Sequence, residues 1–199
     1  MQKAVSSILL LISLLFSVAT PALADDSHNI NLDCGFFGIE GTGFNNAQNF
    51  SLAAFEGGSI ANATAIPLEL NPRFNTLTAT EFVGIAPTVF SLADGTLYSN
   101  GTGTLLHIAK HVQNGTEVTF SPTFTYTSIS QLCAVASTDP ESGSPDPTLA
   151  AFGNTDAFSI CKTTTIPPTS AIIYNATAHS KNYEFKTCVE VQVRLIFPQ

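Results

Sequence analysis

Between Thr187 and Phe197 every second side chain is apolar: Val189, Val191, Val193, Leu195 and Phe197 fall on one side of the chain, and Glu190, Gln192 and Arg194 on the other. A period of two alternates side chains between the faces of a strand, so this segment predicts a strand with one face on a core and one in water. Such a strand persists only inside a larger antiparallel sheet. The rest of the chain must supply its neighbours.

It does so in short pieces. In Glu117–Thr127, Val118, Phe120, Phe124 and Tyr126 share a side against Thr119, Thr123, Thr125 and Thr127, and Pro122 places the run on an edge or at a bulge. Thr88–Tyr98 holds two short apolar runs around Asp94-Gly95, which supplies the positive φ angles of a type I′ hairpin turn. Weaker strands are predicted at Phe50–Phe55, Ala65–Leu70, Thr76–Val83, Gln131–Ala136, Phe158–Cys161 and Ala171–Tyr174. Thr104–Val112 carries both a helical stripe (Leu105, Ile108, Ala109, Val112) and a strand reading with Leu106, Ile108 and Val112 inward; its hairpin-rich surroundings favour the strand. Ser137–Pro147, with no apolar residue and two Asp-Pro pairs, reads as a solvated loop within one domain. The expected architecture is all-β, an antiparallel two-sheet sandwich, with barrel closure as the second choice.

The N-terminus reads as an address. Lys3 precedes an apolar run from Ala4 to Ala19, Pro21 breaks it, and Ala22-Leu23-Ala24 offers a small-x-small cleavage site. The run is shorter than the roughly 20 residues of a membrane span and leads into Asp25-Asp26. Residues 1–24 are therefore expected to be a signal peptide and 25–199 a single domain. With no second spanning run and no lipid-anchor pattern in the terminal VRLIFPQ, the expectation is a secreted, extracellular product without a membrane span.

The formal charge is −8, which disfavours nucleic acid as a partner, since that binding depends on clustered Lys and Arg. Charged residues are only 11% of the chain, few for a soluble surface. Glycans would hydrate it. Asn49, Asn62, Asn100, Asn114 and Asn175 each begin an Asn-x-Ser/Thr sequon, against about three expected by chance, and Asn100 and Asn114 sit on Asn-Gly turn signals. Four cysteines, Cys34, Cys133, Cys161 and Cys188, read as two disulfides in an exported chain. Three pairings are open. The one favoured here joins Cys34 to Cys133 and Cys161 to Cys188.

Catalytic chemistry is thinly represented. His107 and His111 would share a helical face, but on a strand they stand about 13 Å apart and cannot hold one ion. Asp94, Glu117, Glu184 and Glu190 could supply a glycosidase-like acid pair, as any acidic β-domain could. The chain lacks a Gly-x-Ser-x-Gly elbow. Trp, the favoured sugar platform, is absent, and the four tyrosines are Tyr98, Tyr126, Tyr174 and Tyr183. The fifteen Phe are read as core filling before the lining of an apolar cavity.

The series Leu132-Cys133-Ala134, Ala150-Ala151-Phe152-Gly153, Ala157-Phe158-Ser159-Ile160-Cys161, Ile172-Ile173-Tyr174-Asn175 and Tyr183-x-Phe185-x-Thr187-Cys188-x-x-Val191, with the upstream Asp94–Tyr98 hairpin, resembles small secreted and cell-surface proteins of filamentous fungi. The resemblance implies a fungal extracellular β-sandwich and carries over no catalytic residue. The expected function is that of a secreted non-enzymatic glycoprotein without a cofactor, extracellular or wall-associated. Its partner would be cell-wall polysaccharide or another extracellular protein. Binding of an apolar ligand or glycan is the second expectation, and a carboxylate-dependent hydrolase a third.

Overall fold

A computed structural model describes residues 43–57, 64–80, 88–100, 106–122, 131–136 and 146–198. Their strands are β1 (Gly43–Phe44), β2 (Ala47–Glu56), β3 (Ile66–Asn71), β4 (Thr76–Ala79), β5 (Val89–Ala93), β6 (Thr96–Asn100), β7 (Leu106–Ala109), β8 (Thr116–Glu117), β9 (Phe120–Pro122), β10 (Leu132–Val135), β11 (Thr148–Ala151), β12 (Phe158–Lys162), β13 (Ser170–Tyr174) and β14 (Val189–Ile196). Phe185–Thr187 forms a 3-10 turn ahead of β14. The all-β, antiparallel fold is the expected one, and every strand predicted from the sequence has a counterpart. β1 and β11 were not anticipated: one is two residues long, and the other is rich in Ala, a weak strand signal.

The sheet closes. β14, β12, β13, β4, β3 and β2 pair antiparallel in that order, and β2 returns to β14 along Ser51–Glu56 against Val191–Ile196. The second of the two expected architectures, a barrel, is therefore the one that forms, and it has six strands. Closure leaves none of these six strands as an edge. Two extensions leave this ring. The first half of β2, after an irregular register where Asn49 adopts φ 57°, pairs with β5 and leads on to β6, β7 and β9. Near its end, β14 pairs with β11, followed by β10 and β1.

Period two decides what faces inward. Leu52 and Ala54 of β2, Leu68 of β3, Leu77 of β4, Phe158 of β12, Ile172 and Tyr174 of β13 and Val191, Val193 and Leu195 of β14 form one core with the inner residues of the extensions. A smaller cluster lies behind β12 and β13, where Tyr183 covers Cys161, Ala171 and Ile173. The Cys161–Cys188 disulfide ties this cover to β12. Cys133 is also disulfide-bonded; Cys34, its favoured partner, lies outside the described residues, as do residues 1–42 as a whole.

Local chemistry explains several details. Asp94 and Gly95 take φ 47° and 74°, the I′ turn that joins β5 to β6. Pro122 lies in β9, the last strand of its extension among the described residues, a position that suits a residue without an N–H. The segment predicted as ambiguous is strand β7, though Leu106, expected inward, is exposed while Ile108 and Val112 are buried. Leu106 stands at the strand's start, where the core no longer reaches it. Residues 104–105 and 123–127 lie outside the described residues.

The outward face of β14 is not uniformly wet. Glu190 is exposed, but Arg194 is 2% exposed. Arg194 pairs with Thr148 of β11 on one side and Ala53 of β2 on the other, and these neighbours enclose it. Alternation told which face Arg194 occupies, but not that another strand would sit beside it.

Candidate functional site at the open end of the barrel

The two ends of the barrel differ. At one end the aromatic rings gather. Phe50 stacks on Phe90 at 6.4 Å, Phe90 meets Phe120 at 6.3 Å, and Phe158 meets Tyr174 at 5.7 Å. Val118 wedges between β4 and β13 there, its N–H donating to Ile172 O and its carbonyl accepting from Leu77 N, both at 2.9 Å. That end is plugged. Phe50, Phe90, Phe120 and Phe158 fill the core, as expected of them, whereas Phe185 and Phe197 are exposed.

At the other end six strand termini converge. β2 ends at Glu56, β4 near Ala79 and β12 at Lys162, while β3 starts at Ile66, β13 at Ser170 and β14 at Val189. The register makes this unavoidable, because Glu56 pairs with Val191, Ile66 with Ala54, Ala79 with Leu68, Ile160 with Val189 and Lys162 with Ser170. Parity aims Ile66, Ala79, Ile160 and Val189 along the barrel axis with the inward set. Together with Glu56 and Lys162 they line a cavity of about 430 Å³. Its floor is apolar and continuous with the core, against which Ile66, Ala79 and Ile160 pack. Among the described residues its rim carries one carboxylate and one ammonium. Val189 remains 43% exposed although it belongs to the barrel's inner face.

The loop joining β12 to β13 stands at this end. Its form is held by hydroxyls: Thr163 Oγ1 lies 2.7 Å from Thr165 Oγ1 and 3.0 Å from Thr169 Oγ1, and accepts from Thr169 N at 2.9 Å. The tip carries Ile166, 86% exposed, followed by Pro167 and Pro168. This is a polar scaffold presenting an apolar tip.

The residues singled out from the sequence lie elsewhere. Asp94 occupies the β5–β6 turn. Glu117, on β8 against β13, is half-buried, and burial pushes its carboxyl above the usual range. Glu184 stands 3.8 Å from Lys186 on the surface. Glu190 shares a shallow depression with Asp156, whose Oδ1 accepts from Gln192 Nε2 at 3.3 Å. His107 lies in β7 with Nδ1 buried and without a partner among the described residues, while His111, past the strand end, contacts the Gln131 amide. Among the described residues there is no group of three or more His, Cys, Asp and Glu arranged to hold a metal, and no helix long and apolar enough to cross a membrane.

Of the sequon asparagines, Asn49, Asn114 and Asn175 are exposed. Asn100 ends β6, and Asn62 lies outside the described residues. The Asn114-Gly115 turn packs on the Asn175 turn, where Gly115 N donates to Asn175 O at 3.0 Å. Tyr174 and Tyr183 are both buried, and the Tyr183 hydroxyl accepts from Thr177 N and donates to Thr177 O, so neither offers a ring face to a sugar. The barrel mouth itself was missed. Its members are ordinary strand-end residues spread from Glu56 to Val189, and only pairing brings them together.

No family profile, curated protein or solved structure matches this chain.

Proposed function

We propose that the chain is an exported, non-enzymatic fungal glycoprotein whose barrel mouth binds the apolar portion of a small amphiphile. The observation that carries this reading is the convergence of Ile66, Ala79, Ile160 and Val189 on one open cavity with Glu56 and Lys162 at its rim. Small-ligand sites are concave and mostly apolar, with few polar groups to fix orientation, and the mouths of β-barrels are a recurrent place for them. An apolar chain or ring entering the mouth would cover Val189, and a polar head would meet the two rim charges. The leader-like N-terminus, the sequons and the cysteines support an extracellular setting for this binding.

Polysaccharide binding has less support, because the tyrosines near the Asn175 turn are buried. Native mass spectrometry of protein secreted by a filamentous fungus tests the proposal. A co-purifying small molecule, lost on organic extraction and reduced in a Val189→Glu variant, is the expected result. A ligand-free mass, or a ligand retained equally by Val189→Glu, would overturn it.

A further inference from the structure

We infer that Asn175 carries an N-glycan whose first sugar packs into the depression that Asn175 itself helps to line, with its apolar face on Phe185. The depression measures about 200 Å³, room for one sugar ring, and Asn175, Ala176, Phe185, Cys188, Ser159 and Glu190 stand around it. Three features point to this occupant. Asn175 opens the sequon Asn175-Ala176-Thr177 and is exposed. Its backbone is held in one conformation, at φ 45°, with its carbonyl accepting from Gly115 N at 3.0 Å, so the Cα–Cβ bond that leads to Nδ2 leaves the turn in a fixed direction. Phe185 is 46% exposed in a 3-10 turn beside the Cys161–Cys188 bridge and, among the described residues, joins none of the apolar clusters.

An aromatic face is a good platform for the C–H face of a hexosamine, while Ser159 and Glu190 offer hydrogen-bond partners to its polar edge. In transfer, Asn175 Nδ2 bonds to C1 of an N-acetylhexosamine, and the C1–O bond to a lipid diphosphate donor breaks. The amide proton leaves with the lipid diphosphate. The attached sugar then shields an apolar side chain that the polypeptide leaves in water.

The test compares four proteins secreted by one glycosylating eukaryotic host: the natural chain, Asn175→Gln, Phe185→Ala and the double variant. Peptide mass mapping should show Asn175 occupied in the natural chain and in Phe185→Ala. Thermal unfolding should show Phe185→Ala lowering Tm by about 2–4 °C when Asn175 is glycosylated, and by little or nothing in the Asn175→Gln background. An unoccupied Asn175, or an equal effect of Phe185→Ala in both backgrounds, would overturn the inference. Ligand binding at the barrel mouth plays no part in either readout.

Discussion

The Arg194 guanidinium carbon lies 5.2 Å from the centre of the Phe55 ring, on the outer wall of the barrel and out of contact with water. Nη2 donates to Gln192 Oε1 at 3.0 Å, while Nε and Nη1 have no hydrogen-bond partner among the described residues. Burial lowers the affinity of this group for its proton and the nearby charge of Asp146 opposes that effect. A buried cation so incompletely satisfied contributes less than an apolar side chain of its shape would.

Arg194→Met is therefore expected to be at least as stable as the natural chain in chemical denaturation. In the natural background Asp146→Asn should cost on the order of 1 kcal/mol, and in Arg194→Met it should cost less. A loss above about 2 kcal/mol for Arg194→Met would show that the guanidinium holds the fold through bonds beyond the one to Gln192.

Glu117 gives a pH dependence with a definite sign. Its folded-state pKa is raised by burial, so above the unfolded value the folded state binds more protons and stability falls as pH rises. Glu117→Gln removes that dependence. The variant should match the natural chain at strongly acid pH and become progressively more stable than it as pH climbs through the carboxylate range, read as Tm against pH.

Two glycines with the same backbone angle separate conformational strain from crowding. Gly57 and Gly115 both have φ +70°, but a Cβ on Gly57 meets nothing within 4 Å, whereas on Gly115 it would lie 2.8 Å from Thr177 Oγ1. Gly57→Ala should lose about 1–2 kcal/mol from the left-handed backbone alone. Gly115→Ala should lose more in the same urea titration, since Thr177 must also move.

Replacing Cys161 and Cys188 together by Ala should cost about 2–4 kcal/mol, chiefly by freeing the unfolded chain. Tyr183 and the cover over β12 and β13 should become the first region to exchange amide hydrogen.

Much of this fold was legible because it is local. Alternation marked β14, Asp94-Gly95 marked the β5–β6 turn, and Pro122 marked an edge. Burial on the second face of a strand was not legible, since it depends on which strand lies alongside. Arg194 was misjudged for that reason, expected wet and found buried, and Leu106 because the core ends before the start of β7. Closure of β2 on β14 joins segments about 140 residues apart, a separation at which loop entropy no longer favours one partner over another. The mouth inherits that difficulty six times over. Phe185 was passed over because a single Phe beside a cysteine carries no sign of exposure until the turn holding it is seen.

Methyl NMR of the secreted protein, titrated with a series of medium-chain amphiphiles, tests the binding proposal most directly. Saturable shifts confined to Ile66, Ile160 and Val189, with Val89 and Leu106 unmoved, are the predicted result. Absence of any shift across the series, or shifts at Val89 and Leu106 in place of the barrel mouth, would contradict it.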